Sequence, residues 1–303
     1  VSDIDLHDLS RVYGRAFAGC ELVVPGVNRT YRLVGGGEVY YLRLYRPVGR
    51  SPAEVAFELR LLREARPTPG IDVARPIRPV DGADCVQVPF GGVGRTAGLF
   101  EALEGRSITN EPEDVALFGS ALAKLHHALA GIDGGGARLL DPEALYAHAA
   151  MALTRIPGSE AARRAVDRCR AELLGDPAAH GLPSGHCHGD ARLANAVVRD
   201  GAVGFFDFDD CGYGPYLLDL GTAAWHFTVG DPSRTGALVA ALLNGYDRQR
   251  PLSRAERRVL PHYVKLAEVR ALLFLAEFCT LADGLWPRVL DRATNLLERE
   301  LTL

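Results

Sequence analysis

Lysine is almost missing from this 303-residue chain: only Lys124 and Lys265 stand among 34 basic side chains, so its positive charge is nearly all arginine. Net charge is also scarce. A formal −4, with 38 acidic residues, gives no general attraction to nucleic acid or to a membrane surface. Paired cysteines are lacking, because Cys20, Cys85, Cys169, Cys187, Cys211 and Cys279 are scattered without a CxxC spacing. That pattern reads as reduced thiols in a cytoplasm. No uncharged run reaches the ~20 apolar residues of a membrane helix, and Glu277 interrupts the best one, residues 271–281. The start, Val1-Ser2-Asp3-Ile4-Asp5, has neither a basic n-region nor an apolar h-region, so no secretory signal is expected.

What is present is an ordinary globular balance, 48% hydrophobic and 24% charged. The length is about twice the usual ~150 residues of one domain, so two packed lobes are expected. Strand-like alternation marks residues 20–24, 30–34, 39–45, 85–88 and 96–103, and Gly35-Gly36-Gly37 predicts a hairpin between the second and third. Ser51-Pro52 opens a helix that must stop before Pro67-Thr68-Pro69-Gly70. After residue 105 helices dominate: 112–130, 142–154, 159–174, 215–229, 234–248 and 255–281, with one clear strand at 203–206. The reading is α+β, a β-rich lobe over residues 1–103 with one helix, then an α-rich lobe over 104–303.

The chemistry-bearing segment is His186-Cys187-His188-Gly189-Asp190-Ala191-Arg192-Leu193-Ala194-Asn195, followed by Gly204-Phe205-Phe206-Asp207-Phe208-Asp209-Asp210. A carboxylate, an amide five residues on and a second carboxylate at a strand end form a set suited to phosphoryl transfer. One group accepts a hydroxyl proton, and two oxygen donors hold Mg²⁺ against nucleotide phosphates.

His-Gly-Asp, Asn195 and the Asp207-Phe208-Asp209-Asp210 run resemble the aminoglycoside phosphotransferase and choline kinase-like families, of bilobal protein-kinase-like fold. The resemblance implies Asp190 as catalytic base and Asn195 and Asp207 as metal ligands. It makes His188 and Asp219 braces of the loop, and leaves Asp209 and Asp210 open between metal, substrate and capping roles. On the nucleotide side it implies Asn28 in a phosphate-covering loop. Arg43 stands where the family usually has lysine, with Glu58 as its partner and Glu54 as competitor. Main-chain contacts of Glu101 and Leu103 meet the adenine. Arginine keeps the charge but is planar and longer than lysine, and Arg46 or Arg29 are the fallback phosphate ligands. His126 and His127 read as packing or capping residues, and Cys211 as a small packing residue.

The expected activity is ATP- and Mg²⁺-dependent O-phosphorylation of a small hydroxylated molecule by direct in-line transfer, with GTP as the alternative donor. A peptide or protein Ser/Thr kinase is disfavoured because no Ala-Pro-Glu motif follows Asp210. A nucleotide-binding pseudokinase is suggested by the missing lysine, but the base and metal ligands are all present. Acceptor candidates are antibiotics, choline-like alcohols, homoserine-like metabolites and sugars. Arginine richness suits a GC-rich genome, where self-resistance kinases are common. Residues 221–303 carry 11 basic against 9 acidic side chains, which weakens a polycationic aminoglycoside. Tyr213, Tyr216, Trp225, His226, Glu268 and Arg270 are expected to wall the acceptor cleft. Glu268 and Arg270 carry that expectation, being costly to bury unless paired with each other or a ligand.

Overall fold

The computed structural model describes residues 4–230, 232–282 and 284–301. Val1, Ser2 and Asp3, part of the segment read for a secretory signal, lie outside them. The first lobe runs α1 (Leu6–Tyr13), β1 (Gly19–Pro25), β2 (Arg29–Gly35), β3 (Glu38–Leu44), α2 (Pro52–Glu64), β4 (Ile71–Val73), β5 (Pro76–Ile77), β6 (Val86–Phe90) and β7 (Val93–Glu101). Its sheet is ordered β1-β2-β3-β7-β5, with β6 also on β7 and every pairing antiparallel. The expected hairpin forms: Gly35 pairs with Glu38, and Gly36 and Gly37 make the turn with φ of 62° and 84°.

Helix α2 begins with a reciprocal capping box. The Ser51 hydroxyl accepts from the Glu54 N–H at 3.2 Å, and a Glu54 carboxylate oxygen accepts from the Ser51 N–H at 2.8 Å. That employment removes Glu54 as the partner of the β3 cation. The apolar side of α2 buries Phe57, Leu59 and Leu61, with Leu59 packed on Gly98 of β7, in a core continuous with that of the second lobe.

The second lobe continues β8 (Arg106–Ser107), α3 (Pro112–Leu129), α4 (Pro142–Leu153), α5 (Glu160–Gly175), β9 (Ser184–Cys187), β10 (Ala196–Arg199), β11 (Ala202–Phe205), β12 (Gly212–Pro215), α6 (Leu217–Thr228), α7 (Pro232–Asp247), α8 (Arg254–Phe278) and α9 (Leu285–Glu298). The six expected helices are present within a few residues. Helices α1 and α9 were not expected, and the single expected strand in this half is joined by β8, β9, β10 and β12. One sheet has the order β4-β11-β10-β8, with β4 parallel to β11. So a strand from within the first hundred residues belongs to the second lobe's sheet. Strands β9 and β12 pair separately and flank the motif loop. All six cysteines are free thiols, and no helix among the described residues is long and apolar enough to cross a membrane.

Candidate active site

The motif loop leaves β9 at Cys187 and reaches β10 through a short 3₁₀ turn at Leu193–Asn195. Gly189 has φ 86°, and a Cβ there would collide with the Asp210 carbonyl, so only glycine lets the loop lie on the Asp207 segment. His188 is fully buried. Its Nδ1 accepts from the Asp190 N–H at 3.2 Å, its Nε2–H donates to the Phe206 carbonyl at 3.0 Å, and its ring lies 4.2 Å from that of Phe208. Both ring nitrogens are hydrogen-bonded, so His188 braces the loop.

Asp219, buried on α6, holds the loop from beneath. Its Oδ2 accepts from the His188 N–H at 2.7 Å and its Oδ1 from the Gly189 N–H at 2.8 Å. Burial alone would raise its pKa, but the His126 hydrogen bond at 3.0 Å, the nearby imidazoles and the Gly189 amide hold it below the ordinary carboxylate value. His126, Cys187 and Asp219 converge closely enough to suggest a metal site. Each is already satisfied, however: His126 Nδ1 meets the Tyr246 hydroxyl at 2.8 Å, and the Cys187 thiol donates to the Gly214 and Pro215 carbonyls. Burial pushes that thiol well above its usual pKa, opposing the thiolate that a metal requires. The cluster is a structural brace.

Above the loop, Asn195 Nδ2 donates to the Asp190 carbonyl at 2.9 Å and to Asp190 Oδ2 at 2.8 Å. Its amide oxygen is therefore turned from Asp190. Asp207 adopts left-handed φ 67°, rare for a non-glycine residue, and keeps 40% of its side chain exposed. An amide oxygen and a carboxylate are hard donors that fit Mg²⁺.

Across the gap, Arg43 on β3 sends Nη2 to Asp207 Oδ1 at 2.9 Å and Nη1 to Glu58 Oε1 at 3.5 Å. Glu58 is buried on α2, its Oε2 has no partner, and desolvation pushes its pKa up to about 7 despite Arg43. Arg43, Glu58, Asn28, Glu101, Leu103 and Asp207 line one cavity of about 330 Å³. Asn28 reaches it with Oδ1 already accepting from the Arg46 N–H at 2.8 Å. The Glu101 N–H donates to the Arg75 carbonyl at 2.9 Å. Of the fallback arginines, Arg29 lies over the Phe90 ring and Arg46 binds Asp209.

Asp209 and Asp210 are occupied by arginines. Arg46 and Arg50 from the first lobe hold Asp209, the latter through Nε at 2.8 Å, and Arg138 reaches Asp210 at 3.2 Å. Burial opposes ionisation of both, yet the surrounding guanidinium groups keep both pKa values below the ordinary value. Sequence reasoning named Arg46 only as a fallback phosphate ligand, and did not name Arg50 or Arg138.

The expected acceptor wall divides. His226 is half-buried on α6, and its pKa is lowered by burial and then by the charge of Arg192, beside Asp190. Glu268 is fully buried and accepts from Trp225 Nε1 at 2.6 Å and from Arg292 Nη2 at 2.9 Å. Arg270 donates to the Gly189 carbonyl and to the Thr222 hydroxyl at 3.3 Å, and lies 3.8 Å from Asp210. These internal partners correct the premise that Glu268 and Arg270 need each other or a ligand: the first supports α6 and the second supports the loop. Tyr216 has other neighbours. It stacks on His126 at 4.4 Å beneath Arg250 and borders a separate cavity with Thr68, Lys124 and Gln249. Tyr213 is exposed on β12 with its ring edge-on to His186, because the antiparallel partner β9 sets its direction.

Comparison with known proteins bears on this geometry. The homoserine kinase of Gluconacetobacter diazotrophicus is 32% identical over 291 residues, covering 89% of this chain and 81% of that protein. A microcompartment-associated aminopropanol kinase has the same fold, with a TM-score of 0.75 at 24% identity, covering 96% of this chain and 94% of its own. An amicoumacin kinase solved with AMP-PNP, Ca²⁺ and Ami gives a TM-score of 0.73 at 20% identity, over 96% and 92%. The bilobal architecture is thus protein-kinase-like. A family model described as APH, phosphotransferase enzyme family, matches residues 26–252, which span both lobes and every residue of the motif loop. The chain belongs to the phosphotransferase enzyme family.

Proposed function

We propose that this chain is an ATP- and Mg²⁺-dependent O-phosphotransferase acting on a hydroxyl of a small molecule, in a cytoplasmic setting. The observation that carries the reading is the single cavity onto which Arg43, Glu58, Asn28, Glu101, Leu103 and Asp207 converge. In this reading residues 1–103 form the nucleotide lobe and residues 104–303 the catalytic and substrate lobe. The Glu101 carbonyl and Leu103 amide meet the adenine edge, or that of guanine if GTP is the donor. Arg43, oriented by Glu58, meets phosphate oxygens through its guanidinium edge. Asn28 offers only its Nδ2–H groups to an anion, since its oxygen is in use.

Asn195 and Asp207 would hold Mg²⁺, which neutralises phosphate charge when bound. Asp190 accepts the acceptor hydroxyl's proton as that oxygen bonds to the γ-phosphorus. The bond from phosphorus to the bridging oxygen breaks, and the nucleoside diphosphate leaves without a phospho-enzyme. Asp219 and His188 fix the loop so that this carboxylate faces the incoming hydroxyl.

The acceptor is a small hydroxylated metabolite; homoserine kinase relatives and the aminopropanol kinase fold favour a short amino-bearing alcohol, with or without a carboxylate, over an antibiotic. An antibiotic remains the competing acceptor because the amicoumacin kinase shares the fold. Incubation with ATP and Mg²⁺, with short amino alcohols in one arm and aminoglycosides and macrolides in another, tests both. ADP release matched by a new phosphate ester in the ³¹P spectrum is expected in the first arm. ATP·Mg²⁺ that neither binds nor is consumed with any acceptor would sink the reading.

A further inference from the structure

The acids around the motif loop leave no free negative wall for a cationic acceptor. Asp219 is taken by two backbone amides and His126. Asp209 is held by Arg46 and Arg50, and Asp210 by Arg138, with Arg46, Arg50 and Arg270 also within 4 Å. Glu268 is closed off by Trp225 and Arg292, and Asp207, though 40% exposed, already pairs with Arg43 and is the carboxylate assigned to Mg²⁺. What the loop does expose is a cation. Arg192 keeps 38% of its side chain accessible, bonds Asp190 Oδ2 through Nη2, and has a buried Nε with no hydrogen-bond partner.

We propose that Arg192 is the acceptor-recognition site, and that the acceptor carries a carboxylate close to the hydroxyl that receives phosphate. The inference rests on the phosphotransferase reading and narrows its substrate class to short hydroxy acids, amino-hydroxy acids included. Arg192 supplies planar donors matched to a carboxylate. The same guanidinium touches Asp190, so a hydroxyl at the base and a carboxylate on the remaining guanidinium edge stand about 4–6 Å apart on hydrogen-bond geometry. Only a few carbons fit between them. Binding the acid also gives Arg192 a second anion, so the guanidinium need not rest wholly on Asp190 when the proton is taken.

The test uses the full chain with ATP·Mg²⁺ and paired acceptors: L-homoserine with L-homoserinol, L-serine with serinol, 4-hydroxybutyrate with 1,4-butanediol, and glycerate with glycerol. At least one acid should exceed its reduced twin at least 10-fold in kcat/KM. Arg192→Gln should erase that ratio by raising the acid's KM, with nucleotide KM unchanged. A residue that merely steadies Asp190 would lower kcat for both twins and leave their ratio alone, which overturns the inference. Preference for the reduced twins, or for kanamycin as a polycationic probe, overturns it too. Absence of transfer to every acid likewise counts against this acceptor class. Calorimetric binding of ATP·Mg²⁺ decides the underlying phosphotransferase reading separately.

Discussion

Arg43 Nη2 stands 2.9 Å from Asp207 Oδ1, so the strand bearing the cavity's cation and the loop bearing its carboxylate meet across the cleft. Glu58 supports the same guanidinium from α2. Arg43→Ala is therefore expected to raise nucleotide KM and lower kcat, through loss of a charge-assisted contact of about 1.5–3 kcal/mol. Arg43→Lys should keep part of the activity. Steady-state kinetics at fixed acceptor check this, and a wild-type-like Arg43→Ala would move the phosphate contact elsewhere.

Asp190→Asn and Asp207→Ala should each reduce phosphotransfer at least ~100-fold, because proton acceptance and charge neutralisation are separate losses. Melting temperatures should stay near wild type, since both side chains are partly exposed. Asn195→Ala should recover in part at high Mg²⁺. An Mg²⁺ titration without response would assign Asn195 a structural task only, through its bonds to Asp190.

Removing Asp219 is a different experiment, because it strips the His188 and Gly189 amides and His126 of their shared acceptor. Asp219→Ala should cost about 3–5 kcal/mol of stability, the usual price of breaking a buried charged network. The folded-state pKa of Asp219 lies below the ordinary value, so its contribution is present above the carboxylate range and fades as pH falls through that lowered value. The stability gap between wild type and variant should therefore narrow in acid. Denaturant melts at neutral and acidic pH measure it.

Glu58 has the opposite sign. Its folded pKa is raised from 4.5 to about 7, so the folded state holds the proton that the unfolded chain releases first. Stability attached to this group is full below pH 4.5 and declines as pH rises toward 7. Glu58→Gln should gain on wild type across that window, by on the order of 1–3 kcal/mol. A constant difference between the two proteins from pH 4.5 to 8 would contradict the shift.

The motif loop was legible because its chemistry lies in short spacings: His188, Asp190 and Asn195 fall within one turn region and Asp207 follows just after β11. Amphipathic stripes likewise revealed α3 to α8. Strands β9 and β12 were hidden, since Ser184-Gly185-His186-Cys187 and Gly212-Tyr213-Gly214-Pro215 are four residues each and rich in glycine. Helix α9 went unread, although Pro287 falls in its first turn, where it costs no hydrogen bond. The Arg46 and Arg50 contacts with Asp209 join residues far apart in sequence, and no local pattern announces them. For Tyr216 and Glu268, nearness to the loop in sequence did not give the direction of the side chain: the first stacks on His126 and the second accepts from Trp225 and Arg292.

The parallel pairing of β4 with β11 bears on how the protein emerges from the ribosome. Strands β1 to β3 and β5 to β7 can close their own sheet once Glu101 is out. Ile71–Val73, which follows α2 in the chain, must then wait as an open edge until Val203–Phe205 is synthesised. The two lobes are thus sewn together by a stitch made late. A nascent chain stalled before residue 203 should be a client for chaperones, and a fragment cut after residue 103 should be prone to associate through Ile71, Asp72 and Val73.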